Sequence, residues 1–150
     1  MIDQEEPSGV VVNSGDTAPS SVLLRFCEPT RPFPEYDDDP VLDFLARARG
    51  ERVSVDVSVR TFRGDGLDTF LDELAEDFRG WEGARTWRSL EHELTLSAVH
   101  GPGGYVRLTW GLHSRPPAEE WCFETTTVHA AGEDMRNLAA EIRTFLQGAA

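Results

Sequence analysis

Apolar residues at Leu67, Phe70, Leu71, Leu74, Ala75 and Phe78 form a single stripe on a helix of 3.6-residue period. The spacing predicts a helix over Leu67–Arg79. Asp65 is placed to accept from a first-turn N–H, and Gly80 to supply the left-handed stop. A second stripe, Met135, Leu138, Ala139, Ile142, Phe145 and Leu146, predicts a final helix between Gly132 and Gly148. Elsewhere the period drops to two. Val53, Val55, Val57 and Val59 alternate with Ser54, Asp56, Ser58 and Arg60, which marks a half-buried antiparallel strand over Arg52 to Phe62. Its expected partner is Val41 to Arg49, joined by a turn at Gly50-Glu51.

Two further strands flank a glycine-rich turn, Gly101-Pro102-Gly103-Gly104. Leu90 to His100 precedes it, with Leu90, His92, Leu94, Leu96 and Ala98 on one face. Tyr105 to His113 follows, with Val106, Leu108, Trp110 and Leu112 on one face. Ser21 to Glu28 and Glu120 to Ala130 complete the strands, and the inward face of the last, with its run Thr125-Thr126-Thr127-Val128, stays open. No repeat of solenoid period is present. The expected architecture is α+β, a two-layer sandwich. A mostly antiparallel sheet of about six strands carries both helices on one face, in the order β-β-β-α-β-β-β-α. Residues 1–21, rich in Glu, Pro, Ser, Gly and Asp, read as a flexible tail, and residues 22–148 as one domain.

Composition narrows the function more than it defines it. With 27 acidic and 14 basic residues the 150-residue chain carries a net charge of −13. That charge repels phosphate backbones and anionic membranes, so neither nucleic acid nor membrane is the expected partner, and a basic protein is. No apolar run approaches the roughly 20 residues of a membrane span, and no secretion signal opens the chain. The expectation is a cytoplasmic protein in which Cys27 and Cys122 are reduced, buried thiols.

Catalytic patterns are missing. His92-Glu93 begins like a zinc-protease motif, but position 96 is leucine where the second histidine should stand. There is no Gly-x-Ser-x-Gly elbow, the four His are separated along the chain, and no Cys–His spacing fits a metal site. The chain is therefore not expected to be an enzyme or to need a cofactor. What remains is aromatic and charged. Trp81 and Trp87 lie in an expected loop with Arg79, Arg85 and Arg88, the residue types that dominate protein interfaces. Asp37, Asp38 and Asp39 sit in the proline-rich segment 29–40. These eight are the candidate partner-binding residues. A charged sheet face containing Glu91, Glu93, Arg107, Asp56 and Arg60 is a second candidate. The alternative is a small-ligand pocket between sheet and helices near Trp87, Trp110 and Trp121.

The stretch GLDTFLDELAEDFRGWEGARTWRSLEHELTLSAVH, then GGYVRLTWGL, Trp121 and AGEDMRNLAAEIRTFL, resembles an uncharacterised family of small actinobacterial proteins. The likeness covers Val22 to Gln147, and FRGWEGARTW is its most specific part. The family has no assigned activity and so implies no catalytic residue. Where relatives carry Gly-His-Val in the hairpin return, this chain has Gly104-Tyr105-Val106. More loosely, the element order is similar to immunity proteins of the cell-wall-associated toxin type, which implies a protein that neutralises a toxin by binding it.

Overall fold

The computed structural model describes residues 9–12, 22–36, 38–114 and 120–148. Within them the chain runs through β1 (Val10–Val11), β2 (Leu23–Thr30), β3 (Val41–Gly50) and β4 (Val53–Phe62), then a 3-10 turn (Arg63–Gly66) and α1 (Leu67–Glu76). It continues through β5 (Ala84–Arg88), β6 (Leu94–Gly101), β7 (Tyr105–His113), β8 (Cys122–Ala130) and α2 (Glu133–Gln147). The fold is α+β as expected, but the strands do not form one six-stranded sheet. They make two four-stranded antiparallel sheets, β1-β2-β3-β4 and β5-β6-β7-β8. Each sheet is a meander followed by a helix, so the order is ββββα twice over.

Two strands arise where none was expected. Val10–Val11, inside the segment read as a tail, pairs with Phe26 and Arg25 of β2. Val10 and Val12 are buried while Val11 is exposed, the alternation that a strand edge requires. Ala84–Arg88, read as a loop, pairs with Val99 to Thr95 of β6. Conversely, β6 begins at Leu94 rather than Leu90. Residues 89–93 make a tight turn in which Ser89 N donates to Leu94 O, and Leu94 N to Ser89 Oγ. His92 has φ 67° there and Leu90 is exposed.

The inner faces of both sheets and both helices share one apolar cluster. Leu94, Leu96, Ala98, Val106, Leu108, Trp110 and Leu112 face inward as their alternation predicts. Phe26 of β2 meets Trp110 of β7 edge-on at 5.7 Å, and Phe145 of α2 meets Phe44 of β3 at 5.5 Å. The two sheets are therefore halves of one core, not separate domains. On β8 the undecided inward face is the one with Thr127 and His129, both buried. Trp110 Nε1 donates to Thr127 Oγ1 at 3.1 Å, and that hydroxyl lies 2.8 Å from His129 Nε2.

Helix α1 ends at Glu76, three residues before the periodicity suggests, and Phe78 beyond it is exposed. Asp65 does not cap it. Its carboxylate accepts instead from Phe62 N and Leu90 N, tying the helix start to the β5–β6 turn. Gly64, at φ 86°, is needed here, because a Cβ would stand 2.6 Å from Leu146 Cδ1 of α2. The helices are further joined by Arg143, which bridges Asp68 at 3.0 Å and Asp72 at 2.5 Å.

Candidate functional site

The Trp–Arg segment is mostly tied into the fold. Trp81 Nε1 donates to Ala98 O at 3.2 Å, its ring meets His100 edge-on, and the Arg85 guanidinium lies 4.7 Å above it. Arg85 also pairs with Asp77 at 2.7 Å. Trp87 Nε1 donates to Asp65 O at 2.9 Å. Both indoles pack against the core cluster. Arg79 lies over the Phe78 ring at 5.6 Å. Alternation along β5 sends Arg85 and Trp87 to the half-buried side and Thr86 and Arg88 to the exposed side. Of the five residues in this group, Arg88 is the one whose side chain has no hydrogen bond, ion pair or ring contact among the described residues.

The acidic segment does not make an ion site among the described residues. Asp39 Oδ1 accepts from Val41 N at 2.9 Å and its carbonyl accepts from Arg31 at 3.0 Å, which fixes the turn into β3. Asp38 is exposed, and Asp37 lies outside the described residues. No group of three His, Cys, Asp or Glu among the described residues could hold a metal. Among the described residues no helix is long and apolar enough to cross a membrane.

The second candidate face divides between the two sheets. Asp56 and Arg60 belong to the first, Arg107 to the second, while Glu93 is buried in the β5–β6 turn, where Ser89 Oγ donates to it at 3.0 Å. The three tryptophans proposed around a pocket do not share one. Trp110 is fully buried, Trp87 borders a cleft on the second sheet, and Trp121 stands exposed at that sheet's end. The two cysteines lie on different sheets and do not form a disulfide. Cys27 is buried, but Cys122 is exposed, because its side of β8 faces outward.

That outer face of the second sheet is what sequence reasoning missed. Thr86, Ser97, Thr109 and Thr126 are Cα partners across all four strands, a transverse row of hydroxyls, with Thr109 and Thr126 3.1 Å apart. The next row is Arg88, Thr95, Gly111 and Glu124. Beyond it His113 pairs with Cys122. Thr95 Oγ1 lies 2.9 Å from His113 Nε2, directly over Gly111, where a Cβ would come within 2.4 Å of the Thr95 hydroxyl oxygen. Glycine is thus the residue that permits this contact. The Cys122 thiol, 3.9 Å from the same imidazole nitrogen, is pushed up from its ordinary value by burial and then by Glu124. It stays protonated, which suits a weak donor rather than a nucleophile.

Two clefts open on this face and share Arg88 and Thr95. One, of about 420 Å³, is bordered by Thr86, Ser97, Thr109 and Glu124. The other, of about 540 Å³, is bordered by His92, His113, Glu120, Trp121 and Cys122. Each is of the size that holds a small ligand. A four-strand register signals this face, and no single stretch of sequence displays it.

Comparison with known proteins adds a family and little else. No curated protein matches the chain. A crystal structure of Trypanosoma bruciei MRP1/MRP2 is similar at 18% identity over 96% of this chain and 83% of that one, with a TM-score of 0.40. A likeness at that level carries no argument about function. Residues 15–149 match the model of DUF6228, a family of unknown function, and the chain belongs to that family.

Proposed function

We propose that the protein is a non-enzymatic interaction protein that recognises a basic protein partner through the layer formed by α1 and α2. The observation behind this reading is the charge of that layer. Asp68, Asp72, Glu73 and Glu76 on α1 join Glu133, Asp134 and Glu141 on α2, against Arg136 and Arg143 alone. Arg143 is already engaged by Asp68 and Asp72, so the exposed remainder presents almost unbroken negative potential. Such a field speeds encounter with a basic surface and is weakened by salt. An immunity-type role, binding and neutralising a basic toxin in the cytoplasm, is the specific form of this proposal.

The test is co-purification from the protein's own cell extract at low and high salt, beside a variant carrying Glu73→Lys, Glu76→Lys and Glu141→Lys. The expected result is a basic partner held at low salt and released by salt or by the charge reversal. Absence of any specific partner at low salt overturns the proposal.

A further inference from the structure

We propose that the outer face of the second sheet binds a small zwitterion, a short peptide held by both of its termini. The row Arg88, Thr95, Gly111 and Glu124 carries the inference. It begins with a cation and ends with an anion, and between them stand one hydroxyl and one residue without a side chain. Neither Arg88 nor Glu124 has a hydrogen-bond or ion-pair partner among the described residues. They are three strand spacings apart, ~14 Å between backbones at ~4.8 Å per spacing. Side chains directly opposite on neighbouring strands can pair, and these two are not so placed. Both nevertheless border the same cleft of about 420 Å³, together with the hydroxyls of Thr86, Ser97 and Thr109.

Each part of a short peptide has a counterpart there. The planar guanidinium of Arg88 suits a carboxylate, which it can hold through two parallel N–H groups. Ionised Glu124 accepts only, and suits an ammonium. The intervening hydroxyls both donate and accept, as a peptide unit requires. An extended peptide of two or three residues is roughly 7–10 Å long at ~3.4 Å per residue, which leaves room for both side chains within the ~14 Å between backbones.

Charge selects among the alternatives. A simple anion approaches a chain of net charge −13 against its field, whereas a zwitterion carries no net charge. A polycation meets Arg88 and, on the same face, the exposed Arg107. This site is separate from the helix layer proposed for a protein partner, and either can fail without the other.

Isothermal titration of the full chain with trialanine, N-acetyltrialanine, trialanine amide and acetate is the test. Trialanine is expected to bind, and blocking either terminus to weaken binding about tenfold or more, the effect of losing a charge-assisted contact. Arg88→Gln should abolish discrimination against the amide, and Glu124→Gln discrimination against the acetylated peptide. Both replace exposed side chains without partners, and an unchanged denaturation midpoint verifies that the variants fold. No binding of trialanine at millimolar concentration overturns the proposal. So does binding of acetate or of either blocked peptide as tight as that of trialanine.

Discussion

The two ββββα halves treat the charges on their outer faces in opposite ways. On the first sheet most are matched, Arg25 being an exception among the described residues. Asp56 accepts from Arg49 at 2.8 Å, with Arg47 Nε 3.4 Å away but not aligned for a hydrogen bond, and Arg60 holds Asp43 through two contacts of 2.9 Å. Hydrogen bonding to Arg49 holds the Asp56 carboxyl below its usual range. On the second sheet Arg88, Arg107 and Glu124 find no partner among the described residues, and two clefts open between hydroxyls. Identical strand order thus supports one electrostatically closed face and one open face. The difference lies in which residues the register places opposite one another, since a neighbouring-strand pair such as Asp43 and Arg60 can close while Arg88 and Glu124 cannot.

The largest expected effect tests whether the halves are energetically separate at all. Trp110→Ala removes a fully buried indole that touches Phe26 of the other half. It should cost about 3–5 kcal/mol in denaturant unfolding, and the wild type should unfold in one transition. Two transitions would break the picture of a shared core.

A smaller effect separates the halves by pH. Trp110 can only donate to Thr127, and the same hydroxyl lies 2.8 Å from Nε2 of the buried His129 imidazole, as donor or acceptor according to the tautomer. Burial lowers the pKa of His129 from 6.5, partly opposed by Asp134. The unfolded chain therefore takes up a proton first. Stability is full above about pH 6.5 and falls as pH drops from there to the lowered folded value. His129→Gln should flatten that slope in urea titrations at successive pH values. The first half responds in a different window. The contribution of Asp56 is present above its unfolded value of 3.8 and lost as pH falls through the depressed folded one. A wild-type curve with no loss of stability below pH 6.5 until the carboxylates titrate would show that His129 carries no linkage.

The smallest effects concern the outer faces themselves. Arg60→Gln dissolves a matched, partly exposed pair and should cost under about 1 kcal/mol. Arg88→Gln removes an unmatched charge and should stay within about 0.5 kcal/mol of wild type. Equal losses, compared by denaturation midpoint, would erase the distinction between closed and open faces.

Burial on one face is a local property, which is why β3, β4, β7 and both helices could be placed from residue spacing. Sheet membership is not local. The alternation in Val53–Val59 and in Leu94–Ala98 looks alike, yet the two belong to different sheets. Strand β5 was hidden because only Arg85 and Trp87 alternate with Thr86 and Arg88, after glycines at 80 and 83. Val10–Val11 is a strand through its pairing with β2, and no propensity of so short a segment announces that. Of the Trp–Arg residues legible as a candidate contact, Arg88 reaches the open face. Thr95, Gly111 and Glu124 join it through register, which requires the sheet to be assembled first.

The placement of Phe145 against Phe44 and Phe26 has a consequence for synthesis. The aromatic residue that completes the core of the N-terminal sheet belongs to a 15-residue helix that leaves the ribosome only after β5 to β8. Until that helix emerges, the first sheet must wait with Leu24, Phe26 and Phe44 incompletely covered, a nascent chain open to chaperones and to premature association.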